Sequence, residues 1–134
     1  MPTITPANAL ALINETIATG IKKLHSVQGV RKAFSVHLMV QNNHKSPCLG
    51  CPHYQWVVWY PQRATKGAGH GEIFLIASPC KAPTRTKAVS QSKDVELLVR
   101  TLIKLLDQRA SLVDMMSRTD RSALATLKLV RQFS

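Results

Sequence analysis

The alternation of apolar and polar positions changes period along the chain, and each period predicts a different element. Leu10, Ile13, Ile17, Ile21 and Leu24 recur every three to four residues. That spacing places them on one stripe of a helix facing a core. Thr5 followed by Pro6 supplies its start, a capping hydroxyl and a proline tolerated in the first turn. Gly20 interrupts the stripe and predicts a point of close packing. The helix is expected to fade near His25, before Gly29.

From Ala33 the period drops to two. Phe34, Val36, Leu38 and Val40 alternate with Ser35, His37, Met39 and Gln41. Successive strand residues point to opposite faces, so this is a strand with one buried side. "YQWVVWY" (54–60) is aromatic and β-branched and predicts a second strand. "EIFLIAS" (72–78) predicts a third. Between them, "PQRATKGAGHG" (61–71) reads as a basic, glycine-rich hairpin loop.

No proline follows Pro83 and no glycine follows Gly71, which leaves the last third of the chain free to be helical. Ser92 is placed to cap a helix, with Asp94 and Glu96 in the first turn, where the helix dipole favours acids. Val95, Leu98, Val99, Leu102, Leu105 and Leu106 form a broad apolar face. The pattern weakens at "SRTDRS", where Ser117 or Thr119 could cap a second helix. One bent helix and two helices both satisfy it. The predicted order is α-β-β-β-α-α: an α+β fold with an N-terminal helix, a three-stranded antiparallel sheet, and a long C-terminal helix or helical pair. With 134 residues and no linker or repeat, residues 1–134 are expected to form a single domain.

Charge changes the picture more than composition does. Eighteen Lys and Arg oppose seven Asp and Glu, a net charge of +11. Such a field favours polyanionic partners. No apolar run is long enough for a membrane span, and the N-terminus lacks the basic start of a signal peptide. Nucleic acid, DNA or RNA, is therefore the expected partner. The candidate phosphate contacts are Arg31, Lys32, Lys45, Arg63, Lys66, Lys81, Arg85 and Lys87, with Arg118, Arg121, Lys128 and Arg131 on the last helix. Tyr54, Trp56 and Trp59 are the candidate stacking residues. The two tryptophans have opposite parity, so one belongs to the core and the other to the opposite face. The alternative is an adaptor or inhibitor that docks on an acidic protein through the same aromatic strand and basic loops. A homodimer formed through the 93–116 helix would be another use of its wide apolar face.

"HKSPCLGCPH" (44–53) carries the chemistry-bearing cluster. Cys48 and Cys51 have the C-x₂-C spacing that lets two thiolates share a tetrahedral ion. A hairpin in which Pro61 meets Gly71 would set Tyr54 opposite Ser78 and bring Cys80 beside His53. The expected ligands of a structural zinc are thus Cys48, Cys51, His53 and Cys80, with His44 in reserve. His37, mid-strand, is set aside. An odd cysteine count without a secretory signal suits a reducing cytoplasm better than a disulfide framework. Buried free thiols and a redox dithiol are the competing readings. Catalysis is not expected: the nearest acid, Glu72, starts the strand at the other end of the sheet. The H-x-E half of a zinc-deaminase pattern is missing, and no Ser/His/Asp or paired-carboxylate set occurs.

Overall fold

A computed structural model describes residues 5–29, 32–41, 48–65, 67 and 69–133. Its elements follow the predicted order. Helix α1 spans Pro6–Gln28, strand β1 Val36–Gln41, β2 His53–Arg63 and β3 Ile73–Pro79. A 3₁₀ turn at Pro83–Arg85 and a short helix α2, Lys87–Gln91, lead into helix α3, Lys93–Gln132.

The caps behave as the sequence implied. Thr5 Oγ1 accepts a hydrogen bond from the Asn8 N–H at 3.2 Å. Gly29 ends α1 with φ of +83°, a backbone conformation that favours glycine. Ser92 Oγ accepts from the Val95 N–H at 3.3 Å at the start of α3. The suspected break near Ser117 does not occur. α3 runs unbroken for 40 residues, roughly 60 Å at 1.5 Å per residue. Thr119, one of the two residues that could have capped a new helix, turns its hydroxyl back to the Met115 carbonyl at 3.0 Å and stays in the helix.

The sheet order is β1-β2-β3, antiparallel throughout. The hairpin differs from the expected register. Val58, four residues beyond Tyr54, faces Ser78, and Pro61 faces Leu75. β2 therefore continues through Pro61 to Arg63, and the loop spans 64–72 rather than 61–71. Proline is tolerated in this central strand for a positional reason. Trp59 donates its N–H towards β1, to the Ser35 carbonyl at 3.1 Å. Two residues on, the same edge at Pro61 has passed the start of β1, so the missing N–H forfeits no ladder bond.

Pairing of Val36 with Val58 and of Leu38 with Trp56 sets these residues on one sheet face. There they meet Ile17 and Leu24 of α1 and Val95, Val99 and Leu102 of α3 in the main core. α1 and α3 run antiparallel, in contact from Asn14–Arg109 to Gly20–Leu102. The close approach foreseen at Gly20 is real: a Cβ there would stand 2.7 Å from Leu102 Cδ2. The simple alternation expected for β1 holds only in part. Ser35 and His37 are buried along with Val36 and Leu38, whereas Phe34 and Val40 are exposed. His37 is covered because α1 lies beside β1 and sets His25 edge-on against it, ring centroids 4.6 Å apart. The Gln28 amide also pairs with both backbone groups of Val36, at 2.6 and 3.0 Å, and so caps part of the open edge of β1.

Candidate functional site

The turn before β2 gathers three metal-ligating side chains. Cys48 Sγ lies 3.1 Å from Cys51 Sγ and 3.3 Å from His53 Nε2. All three donor atoms fall within 4.8 Å of one another. The local chain explains the grouping. The Cys51 N–H donates to the Cys48 carbonyl at 3.1 Å, closing a tight turn. The Cys48 N–H donates back to Cys51 Sγ at 3.3 Å. His53 opens β2, which aims its ring at the turn. The hydrogen bond from Cys51 lowers the pKa of the Cys48 thiol, helped by the Gly50 and Cys51 backbone and opposed by partial desolvation. A thiol held towards its thiolate form is a better metal ligand. Two sulfurs and one imidazole suit a tetrahedral ion such as zinc. Bonds of about 2.3 Å would hold the thiolates ~3.8 Å apart, about 0.7 Å beyond their present separation of 3.1 Å. Small rotations about the cysteine side chains supply that adjustment.

Cys80 does not join this group. The register sets it opposite Trp56, to whose carbonyl it donates its N–H at 2.8 Å. That is three positions along β2 from His53, roughly 10 Å at 3.3 Å per residue. The parity also differs, so the Cys80 and His53 side chains leave opposite faces. Cys80 packs against the core instead. The reserve ligand His44 lies outside the described residues, as do Arg31, Lys45 and Lys66.

Arg109 seats the turn on the helices, a role that no spacing pattern in the chain signals. It is 7% exposed, although it is a charged residue in the middle of α3. Its Nη2 donates to the Gly50 carbonyl at 2.9 Å. Its Nε donates to Asn14 Oδ1 of α1 at 2.7 Å. The guanidinium carbon stands 5.2 Å from the centre of the Tyr54 ring. One turn further along α3, Val113 lies 3.7 Å from where a Gly50 Cβ would be. Arg109 thus joins four parts of the fold: α1, α3, β2 and the cysteine turn. A spacing rule could not find it, because its position reads as one of many basic residues on a helix.

The candidate stacking residues are mostly committed to packing. Tyr54 and Trp56 lie against the core. Trp59 leaves the opposite face, as parity required, and is half-buried. It lines a cavity of about 330 Å³ with Ile21, His25, His37 and Met39. The aromatic residues left open are others. Phe34 and Tyr60 are 37% and 45% exposed and meet edge to face, ring centroids 6.0 Å apart. Lys87 Nζ sits 4.8 Å above the Phe34 ring. Lys32, Arg63, Lys81, Arg85 and Lys87 are all exposed. Lys32 lines a groove on one side of Phe34, and Arg85 and Lys87 line another. The ion pairs among the described residues, Glu96–Arg100 and Asp114–Arg118, lie on α3 and use none of these five. Among the described residues, no helix is long and apolar enough to cross a membrane.

No protein-family model matches the chain, and comparison with curated proteins and with solved structures likewise returns no match.

Proposed function

We propose that this chain is a small, non-enzymatic nucleic-acid-binding protein that acts in regulation or assembly on DNA or RNA and carries one structural zinc. The observation that carries the reading is the basic surface around Phe34. Lys32, Arg85 and Lys87 border it, and Lys81 lies on the segment leading into it. No acidic side chain lines either groove among the described residues. With a net charge of +11, such a surface attracts a phosphate backbone and releases its counterions. The zinc would be held by Cys48, Cys51 and His53, with the fourth position filled by His44 or by water. It would brace the start of β2 against α1 and α3 through Arg109.

An acidic protein partner would meet the same basic surface. The aromatic strand gives that reading less support, because Tyr54 and Trp56 are used in the core. Anisotropy titrations of labelled DNA and RNA against salt separate the two. Nucleic-acid binding predicts a linear fall of log K with log salt, with a slope corresponding to several phosphates. No measurable binding of either polymer at low salt would reject the proposal and leave the acidic-partner reading standing.

A further inference from the structure

We infer that the ligand is single-stranded nucleic acid, whose unpaired bases stack on an aromatic platform formed by Phe34, Tyr60 and Phe74. The inference rests on the nucleic-acid reading above and narrows it to a strand type and a site.

Three of the seven aromatic residues stand exposed at one end of the helix-bearing sheet face. Phe34 lies in the turn just before β1, where it and Ser35 together face Trp59 as a β-bulge, and its ring meets that of Tyr60. The Phe34 N–H donates to the Trp59 carbonyl, and the Trp59 N–H donates to the Ser35 carbonyl. Tyr60 pairs with Ile76 and Gln62 with Phe74. Phe74, 44% exposed, is therefore the diagonal neighbour of Tyr60 on the same face, within reach of an aromatic side chain. The helices do not cover this end. The core contacts of β2 stop at Val58, and the three rings continue the face beyond it.

Phe34 has a backbone feature set by the turn and bulge that lead into β1. Its φ is +65°, a region bulky side chains rarely adopt. Strain of this kind persists where surrounding structure imposes it, and it concentrates at binding sites. The bulge turns the phenylalanine out of the alternation that buries Val36 and Leu38. The ring is held outward, with a groove on each side. One, of about 310 Å³, has Lys32 at its edge; the other, of about 250 Å³, lies beneath Tyr60 and is edged by Arg85 and Lys87.

The chemistry suits bases rather than an uninterrupted duplex. Every base offers a π-face, but in a duplex its neighbours cover it. A flat aromatic platform therefore needs an open strand. Lys87 now occupies one face of Phe34. An incoming base would take that face, and the ammonium would pass to the adjoining phosphate. Arg85 and Lys32, on either side of the ring, are placed to follow the backbone as it crosses.

The test uses the whole chain with fluorescein-labelled 12-nucleotide single strands, one RNA and one DNA, and a 12-base-pair duplex, at matched ionic strength. We expect single strands to bind at least ten-fold more tightly than duplex. Phe34→Asn, which tolerates positive φ, is expected to weaken single-strand binding about ten-fold or more. Phe34→Trp is expected to preserve it. The double variant Arg85→Glu/Lys87→Glu should weaken both strand types. Thermal melts confirm folding. Photocrosslinking of the unaltered protein to a 4-thiouridine strand gives a readout independent of any variant, with adducts expected on peptides holding Phe34, Tyr60 or Phe74. Equal binding of duplex, no effect of Phe34→Asn, or adducts confined to other peptides would overturn the inference while leaving charge-driven binding intact. Failure of every polymer to bind would overturn the proposed function itself.

Discussion

Arg109 and Gly50 are 59 residues apart in sequence, yet the arginine Nη2 donates to the glycine carbonyl at 2.9 Å. This bond fixes where the cysteine turn sits on the helices. The turn is short, and its own hydrogen bonds close it but do not anchor it. The anchor is a buried cation whose partners are a carbonyl, the Asn14 amide oxygen and a tyrosine ring. Burying a charge is costly unless its donors are satisfied. Here the planar fork of arginine reaches two elements at once, which a lysine ammonium on a flexible stem does less well.

Arg109→Met should therefore lower stability by about 2–4 kcal/mol, since it removes two bonds to a charged donor and leaves the Gly50 carbonyl and Asn14 unpaired. Arg109→Lys should recover only part of that. Urea titrations measure both. A loss under about 0.5 kcal/mol, the size of an ordinary surface change, would show that the bond contributes little. Asn14→Leu in the Arg109→Met background should cost less than it does alone, because the two side chains act as a unit.

The part of the fold governed by local periodicity was legible in the chain. Leu10 to Leu24 announced α1, Val36 and Leu38 the buried face of β1, and Ser92 the start of α3. What escaped was non-local. The hairpin register depended on whether β2 passed through Pro61, and that turned on where β1 ends relative to it. The four-residue difference carried Cys80 from beside His53 to opposite Trp56. Phe34 fitted the alternation of β1 as a buried position, but its positive φ and its place past the helices leave it exposed. Cys48, Cys51 and His53 lie within six residues, so their meeting was legible from spacing. The role of Arg109 was not, because nothing local distinguishes it from Arg100 or Arg118.

The metal reading predicts about one equivalent of zinc in protein purified without added metal. Cys48→Ser, Cys51→Ser and His53→Ala should each bring it below about half an equivalent, since tight structural binding depends on the full set. Cys80→Ser should leave the zinc content unchanged. Loss of zinc in Cys80→Ser would show that the core cysteine moves to the site. Retention in all three of the others would place the metal elsewhere.

The outer part of α3 predicts uneven stability. Every described residue from Arg118 to Phe133 is exposed, and helix packing, not propensity, supplies most helical stability. Backbone amides beyond Ser117 should exchange with deuterium orders of magnitude faster than those around Val99 and Leu102. Deleting residues 119–134 should change the unfolding free energy by less than about 0.5 kcal/mol. Slow exchange along the whole helix would show that its outer half is covered in solution, as a second copy of the chain would cover it.

Gly20 makes a prediction whose sign depends on its neighbour. Alanine is preferred to glycine in a helix by about 1 kcal/mol. At this position, however, a Cβ would meet Leu102 Cδ2 at 2.7 Å and Cγ at 3.3 Å, and overpacking costs about 1–3 kcal/mol. Gly20→Ala should therefore destabilise the protein by about 1 kcal/mol on balance. With Leu102→Ala already in place, the clash is gone and Gly20→Ala should stabilise. The same sign in both backgrounds would remove close packing as the reason for the glycine.

His37 gives the fold a defined acid sensitivity. It is 2% exposed, its Nε2 lies 3.1 Å from Ser35 Oγ, and its Nδ1 has no hydrogen-bond partner among the described residues. Burial, then the adjacent His25, lowers its pKa from 6.5 to about 4, against a smaller opposing contribution from the Gly29 backbone. The folded protein thus keeps this ring neutral at a pH where the unfolded chain has already bound the proton. The resulting stability is complete above pH 6.5 and is lost as the pH falls towards 4. The loss amounts to about 3 kcal/mol, at 1.36 kcal/mol per pH unit. Urea unfolding at intervals between pH 7.5 and 4 would measure it. A Cys48→Ser/Cys51→Ser background keeps thiol and metal protonation from contributing. In that background His37→Gln, which can still bond to Ser35 but does not titrate, should flatten the dependence over this window. An equally steep decline in His37→Gln would assign the acid sensitivity to other groups.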